Sequence, residues 1–226
     1  MTTSGVFEII QLGGPIMWAL FACSVVGLGV FVERLIHFHR CSMPVEPFLK
    51  GIANLVRQGK HEEALERCDE AYGPAVRVVQ AALMKRNLGK DDLKELTREV
   101  AQLQVPALEA HLPLLGMVAQ ISPLLGLLGT VVGMISTFMN MNHSMGAAPI
   151  SDLAGGIWEA LITTAGGLCV AIPAYVAHHY LISRLNTLIT DMERSGIEIV
   201  QLLKLSSGPA AASEPVVAAK LPAAQP

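Results

Sequence analysis

Leu153 to Val176 reads LAGGIWEALITTAGGLCVAIPAYV, and a single charge, Glu159, interrupts it. A helix needs roughly 20 mostly apolar residues to cross about 30 Å of hydrocarbon, so this stretch is long enough to span a membrane. An acid inside such a span is costly unless it is paired, protonated or solvated by a cavity, which makes it a functional candidate by default. Glu159 lies six residues inside Leu153, roughly 9 Å along the helix. Thr163 is one turn further on and shares its face. Thr164 is rotated partly off that face but can border the same polar lumen. The opposing reading is a glutamate that snorkels to the outer headgroups or bonds a neighbouring helix.

Two more apolar runs stand upstream. Leu12 to Val32 has no charge, and Leu112 to Ile150 has no Asp, Glu, Lys or Arg. The second run is too long for one span, so it predicts a helix to about Phe138 followed by a short polar turn. The first is a poor cleaved signal peptide, because no Lys or Arg precedes it and no small-residue cleavage site follows. Only 15% of the 226 residues are charged, against about 25% in soluble domains. The net charge of -3 gives no reason to expect a nucleic-acid partner. All 16 Lys and Arg lie between Arg34 and Arg98 or from Arg184 onward. The positive-inside rule then places the N-terminus and the short 140–152 loop outside, and the 37–110 segment and the C-terminal tail in the cytoplasm.

The cytoplasmic segment reads as helices. Pro44 to Val56 is amphipathic, Gly59 breaks it, and Lys60 to Ala71 follows. Gly73-Pro74 marks a turn before Ala75 to Arg86. Asp91-Asp92 can open another helix, with Leu93, Leu96, Val100 and Leu103 at helical spacing. This helix is expected to run into the second span, bent near Pro106 or Pro113. Leu181 to Leu205 continues the third span as an amphipathic helix, and the Ala/Pro/Ser-rich end predicts disorder. The predicted plan is an external N-terminus at 1–11, a span at 12–36, a cytoplasmic helical region at 37–110 and a span at 111–139. An external loop at 140–152, a span at 153–180, a cytoplasmic helix at 181–205 and a disordered tail at 206–226 complete it. The fold class is all-α: a polytopic membrane protein with three transmembrane helices and long helices extending into the cytoplasm.

The second span holds Ser122-Pro123-Leu-Leu-Gly126-Leu-Leu-Gly129-Thr130-Val-Val-Gly133. The three glycines fall at i, i+3 and i+7, a small-residue face that lets helices approach closely in lipid. Thr130 sits near mid-span. Its hydroxyl can bond back to its own helix or face a polar lumen, and both readings stand. Pro173 is expected to kink the third span, with His178 and His179 at its cytoplasmic mouth. Cys23, Cys41, Cys68 and Cys169 form no CxxC pair and read as plain thiols. His37, His39 and Cys41 are too loosely spaced to argue for zinc. No nucleophile–base pair, phosphate loop or metal-ligand spacing occurs in the cytoplasmic part, so no enzyme activity, metal or cofactor is expected.

Ser122 to Phe138, together with IWEALITTAGGL at 157–168 and Ala171-Ile-Pro173-Ala, resembles the second- and third-span motifs of the MotA/TolQ/ExbB proton channel family. Lys60-His-Glu-Glu-Ala-Leu and Gly73-Pro74 are similar to its cytoplasmic region. The similarity runs from about residue 8 to 203, and the three-span plan resembles ExbB and TolQ more than the four-span MotA. The resemblance implies that Glu159, Thr130 and Thr164, with Thr163 as an extra hydroxyl, border a proton pathway. Pro123 and Pro173 shape the helices, and Gly126, Gly129 and Gly133 pack them. It also implies a homopentamer in the bacterial inner membrane around a single-span ExbD- or TolR-like partner, whose aspartate carries the proton. Sodium as the transported ion stays open. The work would go to TonB-dependent transport or, through a TolA-like protein, to Tol-Pal envelope maintenance. The alternative is a non-conducting scaffold that recruits partners through its cytoplasmic helices.

Overall fold

The computed structural model describes residues 14–143 and 150–206. Among them every regular element is an α-helix: α1 (Gly14–Cys41), α2 (Val45–Arg57), α3 (His61–Glu70), α4 (Pro74–Met84), α5 (Lys90–Glu109), α6 (Leu112–His143) and α7 (Ile150–Ser206). The predicted N-terminal segment, the middle of the predicted 140–152 loop and nearly all of the predicted tail lie outside the described residues. Among the described residues three helices are long and apolar enough to cross a membrane, and they carry the three predicted spans. The chain folds as two compact units, Met1–Ser42 with Val105–Leu188 and Met43–Gln104 with Ile189–Pro226.

The first unit is built on α1, α6 and the first part of α7. Small residues set its contacts. A side chain added at Gly27 of α1 would meet Val118 of α6 at 3.3 Å, and one at Gly166 of α7 would meet Met17 Sδ of α1 at 3.0 Å. Trp18, Val25, Leu28, Leu124, Leu127, Leu161 and Ile172 remain outward-facing and apolar, as surfaces bathed in hydrocarbon require. Pro123 and Pro173 lie inside α6 and α7. Ser122, fully buried beside Pro123, donates to the Val118 carbonyl at 2.7 Å, a local bond where proline withdraws a backbone donor.

The second unit is a small helical core. Ile52, Val56, Ala64, Cys68, Val79, Leu83, Leu93, Ile199 and Leu203 are buried together, so α2 to α5 close on the end of α7. Gly59, at φ 75°, makes the left-handed turn between α2 and α3 that an L side chain resists. Arg194 pairs with Glu46 at 3.1 Å and Glu198 at 2.8 Å, and Lys204 donates to the Leu88 carbonyl at 2.7 Å.

Three expectations change. First, α5 does not run on into α6. It ends at Glu109, and His111 takes φ 63° before α6 starts at Leu112. Pro113 favours the break, because proline has no N–H for the carbonyl four residues back and is best placed in a helix's first turn, where it sits in α6. The expected alternative, Pro106, lies inside α5. Second, α6 continues to His143 and α7 begins at Ile150, so helix occupies both ends of the predicted 140–152 loop. No Gly or Pro interrupts Phe138 to His143, so nothing there stops the helix. Third, Leu103 is 68% exposed, while Thr97 and Ala101 are buried in its place.

Candidate functional site

The site grows out of the α6–α7 interface. A Cβ built on Gly126 would meet the Thr163 carbonyl oxygen at 3.0 Å and Thr164 Cα at 3.1 Å. One on Gly129 would run into the Thr163 side chain, and one on Gly133 would meet Ala160 Cβ at 3.2 Å. The partners step backward along α7 as the glycines step forward along α6, so the helices run antiparallel in one register. Small residues continue the contact on both sides: Thr137 packs onto Gly156, and Gly167 lies against the Ser122 carbonyl. This places the glycine face predicted from spacing squarely between two spans.

The four candidate polar residues separate on this framework. Thr163 is 2% exposed, lies under Gly129 and donates to the Ala160 carbonyl at 2.7 Å. It does not border any open surface of the chain, contrary to its predicted place in a lumen lining. The glycine opposite leaves a hollow that its side chain fills. Thr164, one residue on, is half-buried, and its hydroxyl donates across the interface to the Gly126 carbonyl at 3.1 Å. Thr130 is also half-buried, one turn along α6 from Gly126, and donates to the Leu127 carbonyl at 2.6 Å. The bond to its own helix is the first of the two readings of its hydroxyl, and the side chain also keeps an open side.

Glu159 is exposed. Its Oε1 lies 3.3 Å from where a Cβ on Gly14 would sit, beside the first residue of α1. A helix start presents N–H groups without intrahelical partners, which an acceptor nearby can receive. Gly14, at φ 66°, suits that position because it brings no side chain toward the acid.

The His37–His39–Cys41 group comes apart. His37 Nε2 contacts Cys41 Sγ at 3.7 Å, while His39 faces a different pocket with Tyr180 and Arg184. Among the described residues no three His, Cys, Asp or Glu side chains gather as a metal site. His178 packs on Gly116 of α6, and the His179 ring lies tilted against Tyr175, with centroids 4.4 Å apart.

One polar cluster is new. Arg34 is 5% exposed and contacts Glu33 Oε1 at 3.0 Å, His111 Nδ1 at 3.1 Å and the Ala107 carbonyl at 3.4 Å. His111 Nδ1 also lies 2.9 Å from Glu33 Oε2. Arg34 reads in the sequence only as the first positive charge after a span. Its burial depends on His111, 77 residues away, and no local pattern announces that.

The sequence profile of the MotA/TolQ/ExbB proton channel family matches residues 70–194, more than half the chain. A biopolymer transport protein of Vibrio cholerae is 32% identical over 171 residues, 74% of this chain and 75% of the relative. The biopolymer transport protein ExbB of Neisseria meningitidis serogroup A is 28% identical over 207 residues, 82% of this chain and 90% of the relative. The Tol-Pal system protein TolQ of Haemophilus influenzae is 42% identical over 88 residues, 39% of this chain and 38% of the relative. The glycine-packed α6–α7 pair falls within the matched residues, and the chain is a multi-pass membrane protein that belongs to the MotA/TolQ/ExbB proton channel family.

Proposed function

We propose that this chain is the ring-forming subunit of an inner-membrane motor driven by the proton-motive force. In this reading it works with a single-span ExbD- or TolR-like partner and energises TonB-dependent transport or Tol-Pal function. Its N-terminus is periplasmic and its C-terminus cytoplasmic, from the distribution of Lys and Arg.

One observation carries the mechanism. The hydroxyl hydrogens of Thr130 and Thr164 are both committed to backbone carbonyls. What each threonine offers to a neighbouring surface is an oxygen lone pair, an acceptor. An acceptor surface receives a protonated carboxyl, which donates, better than a carboxylate, which cannot. A partner aspartate must lose its charge before it crosses an apolar ring surface. Threonine acceptors beside its path favour that neutral state, and Glu159 sets the field and holds water at the outer end. Different stabilities of the protonated and ionised partner states would then couple proton movement to rotation.

The test is proton flux and gradient-driven work in vesicles that hold this chain with its partner. Glu159→Ala and Thr164→Val are expected to abolish both while the complex still assembles, and Thr164→Ser is expected to retain them. Normal flux and work in Glu159→Ala and Thr164→Val would sink the reading. The non-conducting scaffold keeps one supporting observation, the Thr164 bond that also holds α6 to α7. In that case wild-type vesicles carry no flux, and Thr164→Val weakens assembly instead.

A further inference from the structure

An apolar groove of about 740 Å³ opens between α1 and α7 in the first unit, within the roughly 300–1,000 Å³ typical of small-molecule sites. α1 packs on α6 at Gly27, where Leu115 and Val118 of α6 are the neighbours, so Leu115 floors the groove. Cys23, Phe31, Cys169, Ile172 and Ala177 line its walls. At one end a second pocket of about 90 Å³ adjoins it, and Leu35 and Tyr180 line both. This second pocket has a different chemistry: His39, Ser42 and Arg184 supply donors, while the Thr187 hydroxyl donates to the Ser183 carbonyl at 3.1 Å and presents its oxygen. Among the described residues no Asp or Glu lines either pocket. Arg184 is held in place by Tyr180, whose hydroxyl accepts its Nε at 3.2 Å and whose ring lies 5.5 Å from its guanidinium carbon.

An apolar channel that ends in a cation and hydroxyls has the form of an amphiphile, with tail and anionic head in order. Basic pockets between spans on the cytoplasmic side suit anionic lipid headgroups. A guanidinium grips phosphate oxygens with two parallel donors. We propose that this groove is a binding site for an anionic glycerophospholipid, with an acyl chain along α1 and α7 and the phosphate at Arg184. The inner leaflet as its source rests on the orientation proposed above. The site itself rests only on these helices crossing a membrane. The unopposed guanidinium at the end of an apolar groove complements a phosphate joined to an acyl chain, and this favours a lipid over an uncharged apolar helix.

The test is native mass spectrometry on the detergent-purified complex, stripped of lipid and re-exposed to phosphatidylglycerol or to phosphatidylcholine with the same chains. Wild type is expected to retain phosphatidylglycerol about fivefold better, the preference one cation near the headgroup plane provides. Arg184→Gln is expected to bring that ratio to near unity, and Arg184→Lys to restore most of it. Ala177→Trp, which fills the groove, is expected to lose both lipids at unchanged subunit stoichiometry. Equal, unsaturable retention of both lipids in every variant would overturn the proposal. So would an Ala177→Trp complex that keeps its lipid and loses subunits, since that outcome makes the groove a subunit contact. Loss of proton flux in any variant bears on the motor reading and leaves this readout untouched.

Discussion

Thr163 and Thr164 are adjacent and have opposite fates. A helix turns about 100° per residue, so one threonine enters the hollow at Gly129 while the other flanks the interface. Gly129→Ala is expected to cost about 1–3 kcal/mol through overpacking, since the new carbon would sit 2.6 Å from Thr163 Cβ. Adding Thr163→Gly removes the colliding atoms, Cβ included, and is expected to recover part of the loss, read as thermal unfolding in detergent. No recovery would mean that the collision is not what the first change costs. The glycine stripe was legible in the sequence, because its spacing alone puts it on one face. Which threonine answers it was not, because that depends on the rotation of α7, fixed by contacts with another helix.

At the scale of elements, helix limits were read well wherever the chain carries its own punctuation. Gly59, Gly73-Pro74 and Asp91-Asp92 bound α2 to α5 close to the predicted positions. The boundary between α5 and α6 was missed in kind: a bend was expected, and a left-handed His111 stands there instead. A histidine at positive φ is disfavoured by roughly 1–2 kcal/mol, and the contacts to Glu33 and Arg34 hold it. Arg34→Met is therefore expected to destabilise the first unit by about 1–3 kcal/mol. Hydrogen exchange should rise first in the amides around 107–115. Unchanged exchange there, with stability lost elsewhere, would assign Arg34 a different job.

Across the whole molecule the two units use different physics. The first leaves large apolar side chains facing outward, as hydrocarbon allows, and the second buries its own as a protein in water must. Cys68 reports on the second. Burial pushes its thiol from an ordinary 9.0 up to about 12, so it stays protonated and unreactive while the unit is folded. With Cys23, Cys41 and Cys169 replaced by alanine, a water-soluble maleimide at pH 8 is expected to label Cys68 only after denaturant opens the unit. Rapid labelling of the native protein would contradict that core. The sign of the linkage follows: the unfolded chain releases this proton at lower pH than the fold does, so the second unit loses stability as pH rises above about 9. The division of labour between units was visible in the charge distribution. The lipid-shaped groove was not, because it is made of residues that each read as ordinary span.

The tight fit of α6 on α7 also sets a trap for genetics. If the proposed motor is right, a screen for lost transport would return substitutions at Gly126, Gly129, Gly133 and Gly156 alongside those at Glu159, and the two groups would look alike on a plate. Their suppressors would not. A lesion at Gly129 or Gly156 is relieved by shaving the opposing side chain, Thr163 or Thr137. A lesion at the acid has no such steric cure, so second-site revertants would sort packing from proton chemistry without a biochemical assay.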